Sequence, residues 1–351
     1  MPLKMEENKN LFMNNPLVSI TIVNWNGMKY LPDCLGSLSE IDYKNIEVFF
    51  VDNASTDNSV KYVRKNYPHY KLILNSKNLG YAEGHEEAFK LAKGELLLLL
   101  SMDTIVEKDF LQQMVTAITK KNDIGAVQPK LLMYPDTELI DSIGSFFLET
   151  GILYHYGREK NHIDPKYNSY MEVFSGKGAC LLFRRKALLK TGLFDKDFFA
   201  YFEETDLCHR IWLSGFRIVY EPSAVVYHTG GGASKRMIVS YIQFHSFKNR
   251  ICAYIKNLSP KYIMRVIPQA VLLYEVATIA YILLGRFSVA LAVQKSLLWN
   301  VVHLGETLKK RKIVQEKVRT VSDDSFLPSL TRPVRLSYYY YLFKGLGFYK
   351  D

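Results

Sequence analysis

The sequence predicts an α/β protein built on a mostly parallel central sheet and extended by a C-terminal helical region. Three observations carry this. Strand-like and helix-like segments alternate from residue 17 to residue 100, the pattern of parallel strands joined by right-handed crossovers. The fourth strand segment is a run of five leucines, Leu96 to Leu100, which reads as a strand buried on both faces. It is far too short to cross a bilayer, which takes roughly 20 apolar residues. Finally, Asn24, Asp52 and Asp103 fall at or just past the carboxyl ends of three strand segments, where open α/β sheets bind their ligands.

Residues 17–24 are rich in β-branched side chains and form the first expected strand. Asn24-Trp25-Asn26-Gly27 makes a loop, and a helix follows through about residue 38. Residues 46–52 are a second buried strand ending in Asp52-Asn53. Ser55-Thr56-Asp57 then offers caps for a helix to about residue 66. Residues 71–75 are the third strand. Asn78-Leu79-Gly80-Tyr81-Ala82-Glu83-Gly84 reads as a glycine-bearing loop before a helix to about residue 93. After the leucines come Ser101, Met102 and Asp103. Two readings of Asp103 stand at this point: a carboxylate facing a crevice, or a turn residue capping a helix that begins near Glu107.

From about residue 125 to 183 the pattern changes to short strands and turns. Ser175-Gly176-Lys177-Gly178-Ala179-Cys180 is small enough for backbone to approach a ligand closely. The aromatic run at 198–202 leads into Glu203, Glu204 and Asp206, at the start of an amphipathic helix that ends at Gly215. Three acids in a first turn suit the helix dipole, but the dipole does not account for the aromatic wall before them. Residues 216–220 and 224–228 read as two further strands. His228 closes the second, ahead of Gly230, Gly231 and Gly232, and reads either as a structural strand end or as a ligand residue at a flexible loop.

With 351 residues, 48% of them hydrophobic and 23% charged, the chain has the composition of an ordinary globular protein with a substantial core. Its formal net charge of +10 suits an anionic partner. No nucleic-acid-binding module is legible, so nucleotide phosphates and an acidic membrane surface are expected instead. Cys34, Cys180, Cys208 and Cys252 are widely spaced, which points to reduced thiols and not to a zinc site or disulfide framework. The first fifteen residues are polar, with no apolar signal-peptide core, so a cytoplasmic location is expected.

Taken together, Val23-Asn24-Trp25-Asn26-Gly27, Val51-Asp52-Asn53-Ala54-Ser55-Thr56-Asp57, the 78–84 loop, the stretch from Phe198 to Arg210 and Val225-Val226-Tyr227-His228 resemble the family 2 glycosyltransferases of the GT-A fold. The likeness is greatest to the rhamnosyltransferase-like branch and covers about residues 17–250. The resemblance implies an N-terminal extension over 1–15, a catalytic domain over 16–240 and a separate C-terminal region over 241–351. Within the catalytic domain, 16–124 would bind the donor and 125–240 the acceptor.

The resemblance also implies roles. Asp52 would bind the donor base, with Asn24, Asn53, Asn78, Gly80, Tyr81, Gly84 and Met102 as further donor contacts. Asp103 matches the last aspartate of the family's Asp-x-Asp motif and would hold Mg²⁺ or Mn²⁺, with His228 as second ligand. Ser101 stands where the motif's first aspartate would be. Glu204 matches the general base, and Gly178, Glu203 and Asp206 would lie on the acceptor side. The implied reaction is inverting transfer of a sugar, rhamnose in the branch resembled, from a dTDP-, UDP- or GDP-linked donor to a lipid-linked or oligosaccharide acceptor. A carboxylate for proton removal and a hard cation at the diphosphate suit that chemistry. The alternatives are a nucleotidyltransferase of related fold, whose glycine-rich phosphate loop with Arg and Lys is missing after the first strand, and an inactive nucleotide- or glycan-binding relative.

Residues 241–351 read as helical, apolar and basic. Residues 266–285 have spanning length but contain Pro268, Gln269 and Glu275. A second apolar helix, 287–304, leads to Lys309-Lys310-Arg311-Lys312, a cluster suited to anionic lipids. The expectation is peripheral attachment to the inner face of the cell membrane. A single span within 266–285 and a soluble hairpin that packs on the catalytic domain or forms a homodimer are the alternatives. The aromatic run 338–341 with Phe343 would suit a membrane interface.

Overall fold

The computed structural model describes residues 15–230 and 238–333. The expected N-terminal extension, Gly231, Gly232 and the aromatic run near residue 340 lie outside them, apart from residue 15. Strand β1 (Val18–Asn24) is followed by α1 (Leu31–Ser39), β2 (Ile46–Asp52), α2 (Ser59–Asn66), β3 (Lys71–Leu74), α3 (Gly80–Leu91) and β4 (Leu96–Ser101). Next come β5 (Thr104–Val106), α4 (Phe110–Thr119), β6 (Ile124–Met133), β7 (Ile140–Ser142), β8 (Ser145–Phe147), β9 (Leu153–His155), β10 (Met171–Glu172) and β11 (Cys180–Arg184). The chain continues through α5 (Arg185–Thr191), α6 (Glu203–Leu213), β12 (Arg217–His228), α7 (Val239–Asn257), α8 (Pro260–Leu283), α9 (Phe287–Val302) and α10 (Leu304–Ile313).

The main sheet has the order β10-β12-β6-β11-β4-β1-β2-β3, with β5 paired to β12 and β7 to β6. The β4-β1-β2-β3 half is parallel, as the strand-helix alternation requires. β11 inserts antiparallel between β4 and β6, so the sheet is mixed beyond the leucine strand. Leu96–Leu100 are buried without exception because α helices cover both faces of the sheet there.

Three sequence expectations change. The 78–84 stretch is not a loop throughout: Gly80 already opens α3. Asp103 caps nothing, since β5 intervenes and the next helix begins at Phe110 with Asp109 before it. The two strands expected at 216–220 and 224–228 are one twelve-residue strand, β12, from Arg217 to His228, with a register shift between Glu221 and Val225 where the break was expected.

One face of the sheet packs on α1, α2 and α4. The core on the other face continues without interruption into α7, α8 and the segment after α10, through Cys252, Tyr254, Val266 and Val314. Helices α8 and α9 add a smaller apolar cluster of their own on α7.

Candidate active site

Parallel pairing sets Asn24 opposite Asp52 at the carboxyl ends of β1 and β2. The Asn24 amide donates to Asp52 Oδ1 at 2.8 Å and to Ser55 Oγ at 3.0 Å, and Asp52 Oδ2 accepts from the Ser55 backbone at 2.8 Å. Asn26 and Ala54 take left-handed backbone conformations in these loops. Gly27 is required where it stands: a Cβ there would lie 2.2 Å from Met102 Sδ and 2.3 Å from Asn24 Oδ1. The two loops are therefore locked to each other and to the end of the leucine strand.

The Asn53 amide donates to the Gly80 carbonyl at 2.8 Å, and Asn78 Oδ1 accepts from the Gly80 N–H at 2.9 Å. Tyr81 donates its backbone N–H to the Phe199 carbonyl at 2.8 Å and its hydroxyl to the Gly178 carbonyl at 2.6 Å. This one residue joins the first turn of α3 to both loops of the opposite half.

Pairing of β5 with β12 sets His228 opposite Thr104, and so beside Asp103. His228 Nε2 lies 3.5 Å from Asp103 Oδ1. Its Nδ1 lies 2.7 Å from Asp141 Oδ2, and Asp141 also holds Lys177 Nζ at 2.8 Å and Arg158 Nη1 at 3.0 Å. Burial alone would depress the imidazole pKa, but the Asp103 and Asp141 carboxylates outweigh it and hold the pKa up at about 9. Burial would raise the Asp141 carboxyl, yet Lys177, His228 and Arg158 keep it well below the usual carboxylate range. Ser101 donates its hydroxyl to Asp103 Oδ1 at 2.5 Å, so it orients the carboxylate and adds no second charge.

These residues fit a hard divalent cation. Among the described residues no group of three or more His, Cys, Asp and Glu converges on one point. Mg²⁺ or Mn²⁺ at a diphosphate typically takes one or two protein ligands, with phosphate and water oxygens supplying the rest. A histidine whose Nδ1–H is held by a carboxylate presents Nε2 as a ligand.

On the other side of the crevice, Tyr201 and Phe202 are consecutive residues with φ of 70° and 72°, immediately before α6. This left-handed turn places Glu203 and Glu204 on the crevice wall. Glu203 is buried, and its Oε2 has no hydrogen-bond partner. Burial first, and then the neighbouring Glu204, push its carboxyl well above the ordinary range. Glu204 Oε1 accepts from the Gly178 N–H at a long 3.4 Å.

Asn53, Asn78, Gly80, Tyr81, Met102, Asp103, Gly178, Glu203, Glu204 and His228 thus line one crevice. Four expected residues do not. Asn24 and Asp52 lie behind the loops they lock, and Gly84 packs on Val23 and Asn53. Asp206 is fully buried among Arg210, Lys256 and Asn257, at 2.9, 2.9 and 2.8 Å, and is structural. Sequence reasoning missed Asp141, Lys177, Trp25 and Arg250, which is buried on α7 and reaches the crevice with its guanidinium 5.3 Å from the Phe202 ring. An acid flanked by Ile140 and Ile143 was the one available signal for Asp141.

A crevice over the carboxyl ends of the parallel half of the sheet, lined by a carboxylate–imidazole pair and a carboxylate pair, belongs to a protein of GT-A architecture. Residues 19–192 match the model of Glycosyl transferase family 2, and the chain carries a glycosyltransferase domain of that family. It is 26% identical over 255 residues to the N-acetylglucosaminyl-diphospho-decaprenol L-rhamnosyltransferase of Mycobacterium tuberculosis, covering 66% of this chain and 80% of that one. Two solved structures share the fold at 17% identity. GalNAc-T7 with UDP, GalNAc and Mn²⁺ superimposes with a TM-score of 0.56 over 71% of this chain and 49% of its own. The mannosyltransferase PcManGT of Pyrobaculum calidifontis, with GDP-Man and Mn²⁺, gives 0.51 over 87% and 85%.

Proposed function

We propose that the enzyme transfers a sugar, rhamnose in the preferred reading, from a nucleoside-diphosphate donor to a hydroxyl of a lipid-linked or oligosaccharide acceptor, with inversion. The observation that carries this reading is that Asp103 with His228, and Glu204, line one crevice. The donor's base rests against the loops that Asn24 and Asp52 lock, and its diphosphate lies toward Asp103 and His228. These two residues would hold Mg²⁺ or Mn²⁺, which would supply positive charge to offset the negative charge growing on the leaving diphosphate.

Glu204 accepts the proton of the acceptor hydroxyl as that oxygen bonds to the anomeric carbon. The bond from this carbon to the diphosphate oxygen breaks, and a nucleoside diphosphate leaves. The two neighbouring glutamates divide the work: burial and the adjacent charge favour the protonated form of Glu203, and Glu204 is the base. The relative from M. tuberculosis, named for a diphospho-decaprenol acceptor and rhamnosyl transfer, supports this acceptor class and sugar. The UDP and GDP-Man found with Mn²⁺ in the two structural neighbours support the donor class.

The test separates binding from chemistry. Glu204→Gln should keep Mn²⁺-dependent donor binding, read as a thermal shift with UDP-, dTDP- and GDP-sugars, while turnover falls about 10²- to 10⁴-fold. Asp103→Ala should lose the Mn²⁺-dependent part of the shift. Near-normal turnover in both folded variants would overturn the assignment.

A further inference from the structure

Helices α8 and α9 run as a pair against α7. Their inner faces are core: Tyr274 packs edge-on against Phe247 of α7 with ring centroids 4.3 Å apart, and Val289, Ala290 and Val293 close the same cluster. Their outer faces are equally apolar. Leu272, Ile279 and Leu283 of α8 and Phe287, Leu291 and Leu298 of α9 stand exposed, Leu283 at 82% and Phe287 at 66%. Among the described residues nothing packs on this surface. A contiguous apolar face of this kind is unusual for a protein surface that meets only water.

Charge decides what covers it. Arg265, Arg286, Lys295, Lys309 and Lys312 are exposed on the same helices and on α10, against only Glu275 and Glu306. In a symmetric dimer the face would meet its own copy, and its excess of cations would face the same excess. An anionic lipid surface complements it.

The packing also decides how the face would meet lipid. α8 has the length and apolar composition of a span. To cross a bilayer it would have to abandon the cluster that Tyr274 and Phe247 close. Glu275, the acid that made a span costly, accepts a hydrogen bond from Gln294 of α9 at 3.0 Å, and Gln294 also bonds Thr278 at 2.9 Å. The two helices are pinned side by side with one face inward.

We propose that the outer face of α8 and α9 seats the enzyme in the plane of an anionic lipid bilayer, with the turn around Leu283 and Phe287 inserted among the headgroups. The proposal stands apart from the reading of the active site and adds to it. Two helix layers, the α8–α9 pair and then α7, lie between this face and the crevice. On one side of α7 its Phe247 meets α8; on the other its Asn249 amide bonds the carbonyls of Ala200 and Tyr201, and its Arg250 lines the crevice. A lipid-borne acceptor would therefore find the catalytic wall two helix diameters, about 20 Å, from the surface that carries it.

The experiment is vesicle co-sedimentation of the purified full chain. Phosphatidylcholine vesicles containing phosphatidylglycerol are compared with phosphatidylcholine alone, at low and high salt. The expected result is binding to the anionic vesicles that weakens with salt. Leu283→Glu with Phe287→Glu should lower partitioning about tenfold or more while leaving the unfolding midpoint unchanged. Three outcomes would overturn the proposal. The first is a folded chain that stays in the supernatant with anionic vesicles. The second is a double variant whose light-scattering mass changes from dimer to monomer with no effect on vesicle binding, which assigns the face to a second copy. The third is bound protein that resists salt and alkali and yields only to detergent, which assigns a span. None of these readouts depends on turnover.

Discussion

Asp141 decides how His228 is presented to the crevice. It holds Nδ1 at 2.7 Å and is itself held by Lys177 and Arg158, so the ring has one orientation, and Nε2 is the nitrogen left to meet a cation once its proton is released. Asp141→Asn should weaken Mn²⁺ affinity about 10- to 100-fold, read as a shift in the Mn²⁺ concentration that half-saturates donor-induced thermal stabilisation. An unchanged Mn²⁺ titration in the folded variant would show that His228 needs no such support. Ser101 illustrates the same scale. Where an Asp-x-Asp motif would put a second carboxylate, the hydroxyl hydrogen-bonds Asp103, so one charged ligand is positioned rather than two brought together.

At the scale of elements, the junction between α3 and the 199–202 turn holds the two walls of the crevice at their spacing. Gly80 has φ of +78°, and a Cβ on it would lie 2.2 Å from the Phe199 carbonyl oxygen, which also accepts the Tyr81 N–H. Gly80→Ala should cost about 1–3 kcal/mol from strain alone, lowering the denaturation midpoint, and should impair turnover by opening the turn that carries Glu203 and Glu204. Gly36 is the control. It lies inside α1, and a methyl group added to it would meet nothing within 4 Å, so Gly36→Ala should stabilise by about 0.5–1 kcal/mol and leave activity unchanged. Equal effects from the two substitutions would contradict this account of the junction.

At the scale of the whole molecule, a buried ion cluster joins the catalytic sheet to the C-terminal helices. Lys256 of α7 lies 2.7 Å from Asp195 and 2.9 Å from Asp206, and Lys310 of α10 also pairs with Asp195. Lys256→Met removes one partner and leaves two buried carboxylates short of a cation, which should cost about 3–5 kcal/mol in denaturant unfolding. A loss below about 1 kcal/mol, the range of an exposed pair, would mean that the cluster is dispensable.

The same burial sets the pH dependence. Burial lowers the pKa of His85 to about 3, and burial with Lys248 nearby lowers that of His245 to about 4, both from 6.5. A histidine whose folded pKa is depressed contributes stability above 6.5 that is lost as pH falls below it. The Asp195, Asp206 and Asp323 carboxyls would be raised by burial, but Lys256 at the first two and His209 at the third hold them below 3.8. Their contribution is present above 3.8 and is lost under more acid conditions. Without added metal, the unfolding midpoint should therefore fall between about pH 6 and pH 4, and fall further below about pH 4. A flat or rising midpoint over that interval would contradict the assignment.

The sequence by itself determined the parallel half of the sheet. Residues 46–52 and 96–100 have no polar face to confuse the reading, because helices cover both sides, and their bounds are legible to within a residue. It also determined which acids to watch: Asp103 and Glu204 sit where a short buried strand and an aromatic turn must end. Only the tertiary structure decided which polar residues share the crevice. Asp206 and Glu203 lie on one helical turn and look alike in sequence, yet one faces Lys256 and Arg210 in the interior and the other faces the crevice. Asp103 and His228 meet through the pairing of β5 with β12, and Asp141 joins them through β7 at the side of β6. Strand pairing between segments so far apart in the chain leaves no local periodicity. The same holds for the C-terminal helices, apolar all round in sequence, whose division into a core face and an outer face exists only once α7 is packed between them and the catalytic sheet.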